Sequence, residues 1–151
     1  MHGLESGAVI RPHQNRHYAR RILAGIEAGG KPILATGREG TKALVRHLRD
    51  GGIISILLDE KYAEGVRIPF LGLDALTSLS AAQLALRYDL PMIPAYGIRI
   101  DDGNAFRVEF EAPIPHTDAI TMTRAFNDSL SARIMADPEQ WYWMLRRWDG
   151  V

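Results

Sequence analysis

The chain has 151 residues, 18 basic and 18 acidic, so its formal charge is zero and its length suits one domain. With 46% hydrophobic and 24% charged residues it has the composition of a folded globular protein, not of a disordered tail. The absence of cysteine excludes a disulfide scaffold, a thiolate metal site and a cysteine nucleophile.

The longest uncharged run, Ala75 to Leu86, is 12 residues and falls short of the ~18 needed to cross a bilayer. Glu5 and Arg11 stand where a signal peptide would be apolar. These residues therefore predict neither a membrane span nor a signal peptide. Neutrality hides an asymmetry: residues 1–50 hold nine Lys/Arg against four Asp/Glu, and four of the five histidines. Such a basic third suits an anionic ligand, or else marks two amphipathic helices with solvated arginines.

In chain order, helix and strand alternate. Tyr18, Ile22 and Ile26 recur every four residues and predict a helix over 15–28, stopped by Gly29-Gly30 in a left-handed cap. Ile33 to Ala35 reads as a short strand. A second helix over 39–50 turns Leu44, Val45 and Leu48 inward and ends at Gly51-Gly52. Ile53 to Leu58 is continuously apolar, the pattern of a parallel strand covered on both faces.

Polar residues 59–65 predict a loop, Val66 to Phe70 a brief extended piece, and Ser78 to Tyr88 a helix. Pro91 to Ile98 returns to strand, and Phe106, Val108 and Phe110 alternate with charges in a half-exposed strand. Met122, Phe126, Leu130 and Ile134 mark a further helix. A last helix is predicted to open at Asp137, Pro138 and Gln140, an N-cap, N1 and N3 series. The whole reads as one α/β unit over residues 1–151. Only the few residues around Ala8-Val9-Ile10 precede the first helix as a strand, so the chain is expected to enter its sheet partway through.

Most common chemistries find no support. Neither a phosphate-binding glycine loop nor a dinucleotide fingerprint is present, and no Gly-x-Ser-x-Gly elbow exists. His13 and His17, four apart, can share a helical face as zinc ligands, but no adjacent Glu completes a metalloprotease motif. Trp141, Trp143 and Trp148 lie beside Arg146 and Arg147. They are open to two readings: core residues with arginine stems along the rings, or aromatics at a nucleic-acid or lipid interface.

The order Arg11-Pro12-x-x-Asn15, Arg38-x-Gly40, Gly52 through Asp59 and Ile68-Pro69-Phe70-Leu71-Gly72 resembles one family. It continues with Ala85-Leu86-Arg87, Pro91 to Pro94, and Pro138-Glu139-Gln140-Trp141-Tyr142-Trp143 before Arg146-Arg147-Trp148. These segments are similar to the C-terminal portion of the bacterial lipid A biosynthesis (lauroyl/myristoyl) acyltransferases, within the lysophospholipid acyltransferase superfamily. The resemblance implies a mixed sheet flanked by helices, with its N-terminal elements missing here.

It further implies transfer of a fatty acyl group from acyl carrier protein or coenzyme A to a hydroxyl of an anionic glycolipid or phospholipid. That work needs peripheral contact with the cytoplasmic face of the bacterial inner membrane, no cofactor, no metal and no nucleic acid. Family members use a His-x-x-x-x-Asp/Glu dyad, in which His takes the acceptor proton and the carboxylate orients it. Five residues after the five histidines stand Gly7, Tyr18, Ile22, Gly52 and Thr121, so no catalytic residue is assigned and the chain is expected to be a truncated form. Leu145 also stands where the family has His. What remains is acceptor binding, with Arg11, Arg38 and Asp59 as candidates, because guanidinium forks match phosphate oxygens and Asp59 follows a strand end. The alternative is a catalytically inactive remnant or binding module.

Overall fold

A computed structural model describes residues 6–10, 15–100 and 105–148. The chain forms two compact units, Met1–Leu57 and Leu58–Val151. The α/β class holds, with the strands shared among three small sheets.

The first unit runs β1 (Ser6–Ile10), α1 (Arg16–Gly29), β2 (Ile33–Ala35), α2 (Arg38–Arg49) and β3 (Ile53–Ser55). Its sheet is parallel in the order β2-β1-β3. The short segment around Ala8 is thus the middle strand. Asn15 caps α1, accepting from the amides of His17 at 3.0 Å and Tyr18 at 3.3 Å. Tyr18 and Ile22 are exposed and Ile26 is half-buried, whereas Leu44 of α2 is buried as expected.

Two expectations are corrected here. Gly30 is extended at φ 165, not left-handed, and serves close approach: a Cβ there would lie 2.1 Å from the Ser6 carbonyl oxygen. The continuous strand over 53–58 is only three residues long and is not covered on both faces. Pairing with β1 stops at Ser55, Ile53 is exposed, and Leu57 is 80% exposed. A run of apolar residues makes a buried strand only where partners lie on both sides.

The second unit runs β4 (Val66–Phe70), β5 (Leu73–Thr77), α3 (Ser80–Tyr88), β6 (Ala95–Ile100), β7 (Ala105–Phe110) and α4 (Ala119–Ala136). A single 3-10 turn, Pro138–Gln140, follows. β4 and β5 form an antiparallel hairpin closed by Leu71-Gly72, both at positive φ (49 and 80), the backbone a tight two-residue connection requires. The segment Ile68 to Gly72 is therefore part of one arm and the turn of a hairpin whose second arm, β5, overlaps the start of the uncharged run from Ala75 to Leu86. β6 and β7 form a second antiparallel pair. In it Phe106, Val108 and Phe110 are each more than half exposed, with Glu109 on the less exposed side.

α4 supplies the core. Leu130 and Ile134 pack with Phe70 and Ala75, and Met122 packs with Ala82, Ala85 and Ile114; Phe126 touches both groups. Asp118 caps α4 through the amides of Ile120 and Thr121. The helix expected after Asp137 is absent. Beyond the 3-10 turn the backbone extends at Trp141, and the Asp137 side chain accepts from Gln140 Nε2 at 2.7 Å instead of capping amides. Tertiary packing overrides the local start signal: Trp141 and Trp148 are drawn onto Phe70, and Gln140 Oε1 accepts from the Arg99 amide at 2.8 Å.

Candidate functional site

Of the three residues singled out, Arg11 lies outside the described residues. It follows β1, whose last residue, Ile10, pairs with Ala35 and accepts from the Thr36 amide at 2.9 Å. Arg38 opens α2 just beyond β2, at the carboxyl edge of the same parallel sheet, and is exposed. Gly37 precedes it and provides no side-chain cap. A cation in a helix's first turn opposes the macrodipole, so this position gains nothing from α2 itself. An anion at this helix start would meet amides that no side chain caps. Arg38 and Asp59 belong to different units.

Asp59 is half-buried in the loop ahead of β4. It does not directly follow a buried strand, because β3 ends four residues earlier and is largely exposed. The loop is tied to β5: the Tyr62 amide donates to the Leu76 carbonyl at 3.2 Å, and the Gly65 amide to the Tyr62 carbonyl at 2.8 Å.

Beneath β5 lies a feature that sequence reasoning missed. Arg147 is only 1% exposed. Its Nη1 donates to the Leu76 carbonyl and its Nη2 to Thr77 Oγ1, both at 2.7 Å, and the guanidinium sits 5.0 Å from the Phe70 ring centre. Burial pushes its pKa below the ordinary arginine value, and the negative charge of Asp59 opposes that shift. Asn127, fully buried, donates to the Pro69 carbonyl at 3.1 Å. Asn127 Oδ1 and Arg147 Nε have no partner among the described residues. The pairing of a charged residue with three tryptophans was the available signal, but it does not say which of two adjacent arginines turns inward.

A second network joins β6, β7 and α4. Arg133 bonds Glu109 and Glu111, Ser129 Oγ donates to Glu111 Oε2 at 2.6 Å, and Tyr96 OH lies 2.9 Å from Ser129 Oγ. Arg133 bonding, chiefly, holds the Glu109 carboxyl below its ordinary range; for Glu111 the Ser129 hydroxyl comes first, then Arg133. Burial, chiefly, raises the Tyr96 hydroxyl. A shallow groove of about 420 Å³ separates the hairpin tip, Pro69 to Gly72, from Asp128, Ser131 and Met135 of α4. It holds none of the expected site residues.

The tryptophans divide. Trp141 and Trp148 pack on Phe70 with ring centres 5.7 and 5.6 Å away, whereas Trp143 is 54% exposed with its Nε1 donating to the Pro138 carbonyl at 2.8 Å. His13 lies outside the described residues and His17 is exposed on α1. Among the described residues no group of three metal-ligating side chains forms, and no helix is long and apolar enough to cross a membrane.

The family described as bacterial lipid A biosynthesis acyltransferase matches residues 2–149. A search of curated proteins finds no match. The segments that carried the likeness in sequence, Ile68 to Gly72 and Pro138 to Trp148, meet around Phe70 in a single core, which explains why they occur together. A match over nearly the full length, borne by residues that fold onto one another, places the chain in the bacterial lipid A biosynthesis acyltransferase family.

Proposed function

We propose that these 151 residues serve acyl transfer by holding the anionic head group of a lipid acceptor, the donor being an acyl carrier protein or coenzyme A thioester. Arg11 and Arg38 contact phosphate oxygens and Asp59 orients the acceptor. The observation that carries this reading is the position of Arg38: exposed, at the carboxyl edge of a parallel sheet, as the first residue of a helix whose N-terminus has no side-chain cap. A thioester donor requires no protein nucleophile, in keeping with a chain that has neither cysteine nor a serine elbow. No histidine here has an acidic residue five positions on, so the general base is not assigned to these residues.

The test is binding of the chain to vesicles carrying a bis-phosphorylated glucosamine lipid, against neutral phosphatidylcholine vesicles. Arg38→Ala and Arg11→Ala should each weaken binding to the phosphorylated vesicles by about tenfold, the loss of a charge-assisted hydrogen bond. Lysine at either position should weaken it nearly as much, because the planar fork is lost. Unchanged binding by both alanine variants refutes the head-group assignment.

A further inference from the structure

We propose that Arg147 is the positioning residue for the loop 59–65: its guanidinium, over the Phe70 ring, fixes residues 76 and 77 of β5, on which the loop bearing Asp59 rests. The inference rests on the acceptor-binding reading of Asp59 for its functional meaning, but its geometry stands alone.

A buried arginine with no carboxylate in contact among the described residues is a costly way to fill a core. Apolar residues of similar volume do so at no loss, and often with a gain. What apolar residues cannot do is hold two acceptors at once. Arg147 spans the Leu76 carbonyl and Thr77 Oγ1, each at 2.7 Å. The loop touches the same two residues. The Tyr62 amide shares the Leu76 carbonyl with Arg147. Gly65 presses on the Thr77 backbone so closely that a Cβ would lie 2.5 Å from its carbonyl oxygen. Both attachment points of the loop therefore fall on the two residues Arg147 grips, one at each branch of its fork. The guanidinium lies over the Phe70 ring at 5.0 Å from its centre, and Thr77 Oγ1 is kept in register by donating to the Ala75 carbonyl at 3.0 Å. The charge of Asp59 in turn offsets part of the desolvation of Arg147. Lysine keeps the charge but has one nitrogen, and cannot reach both acceptors from the face of the ring.

The experiment is native-state hydrogen exchange on the full 151-residue chain, comparing Arg147→Lys and Gly65→Ala with the parent. Arg147→Lys should speed exchange at the Tyr62 and Gly65 amides by about tenfold or more, while the amides of Leu130 and Ile134 in α4 change less than about threefold. Gly65→Ala, which leaves Arg147 in place, should speed exchange at Tyr62 in the same local way. Equal acceleration in α4 and the loop would make Arg147 a general stabiliser and overturn the proposal, as would an unchanged Tyr62 amide in Arg147→Lys. Vesicle binding by Asp59→Asn, with the phosphorylated lipid above, separates the two claims. Unchanged binding there refutes the role given to Asp59, while the exchange data alone decide the role of Arg147.

Discussion

Phe70→Ala removes the residue on which the second unit converges. The ring is 1% exposed, packs against both Trp141 and Trp148, and lies beneath the Arg147 guanidinium. Truncation in a packed core costs about 3–5 kcal/mol. Phe70→Leu is more informative because it keeps most of the apolar volume, a swap that alone costs about 1.5 kcal/mol or less. It also loses two ring pairs at about 0.5–1.5 kcal/mol each and a cation contact of about 0.5–2 kcal/mol. These overlap, so the expected total for leucine is about 2–4 kcal/mol. For a unit of this size each kcal/mol lowers the melting temperature by about 4–8 °C, so leucine should lower it by at least about 8 °C. All three tryptophans lie in the second unit, so tryptophan fluorescence during urea or thermal unfolding follows that unit alone. A loss below about 1 kcal/mol for leucine would show that apolar volume, not the ring, holds this core, and would refute the reasoning.

Asp118→Ala should lower the unfolding midpoint of the second unit in the same assay, because the α4 amides of Ile120 and Thr121 lose their acceptor. Glu109 and Glu111 have pKa values held below the ordinary 4.5, so their contribution is complete above that value and lost as pH falls through the lowered values. Melting temperature should therefore drop on acidification below about pH 4.5, and Arg133→Met should flatten that dependence. The purified chain, given acyl carrier protein thioester and a lipid A precursor, should transfer no acyl group above background. Turnover would redirect the search for a base to His13 and His17.

Much of this architecture was legible in the sequence because it is locally coded. The helix placed over 15–28, the α2 face around Leu44 and the four-residue spacing of Met122, Phe126, Leu130 and Ile134 each express one element's own periodicity. The failures lie where a distant partner decides. Nothing within residues 53–58 reveals that pairing stops at Ser55, and nothing in Asp137-Pro138 reveals that Phe70 draws the following tryptophans away from a helix. β5 was missed because Leu73 to Thr77 is short and runs directly into the helix-forming stretch after it, so it reads equally as the approach to a helix, although Leu71-Gly72 is a turn signal ahead of it. Arg38 was accessible as a basic residue after a strand and glycine. Arg147 was visible as a motif residue, but its burial depends on a core assembled from both ends of the unit.

That assembly imposes an order of events during synthesis. The hairpin of β4 and β5 is complete in sequence at Thr77, and pairs of this kind form in about 1–10 μs once available. Its core residue Phe70 waits for Trp148, which is 148 − 70 = 78 residues later. At about 5–20 residues per second that interval is about 4–16 s, far longer than any local folding step. Throughout it, one apolar side of the hairpin lacks its tryptophan cover while the ribosome is still adding α4. The second unit thus commits its sheet early and seals it last, and in that window a chaperone has both time and an exposed apolar surface on which to act.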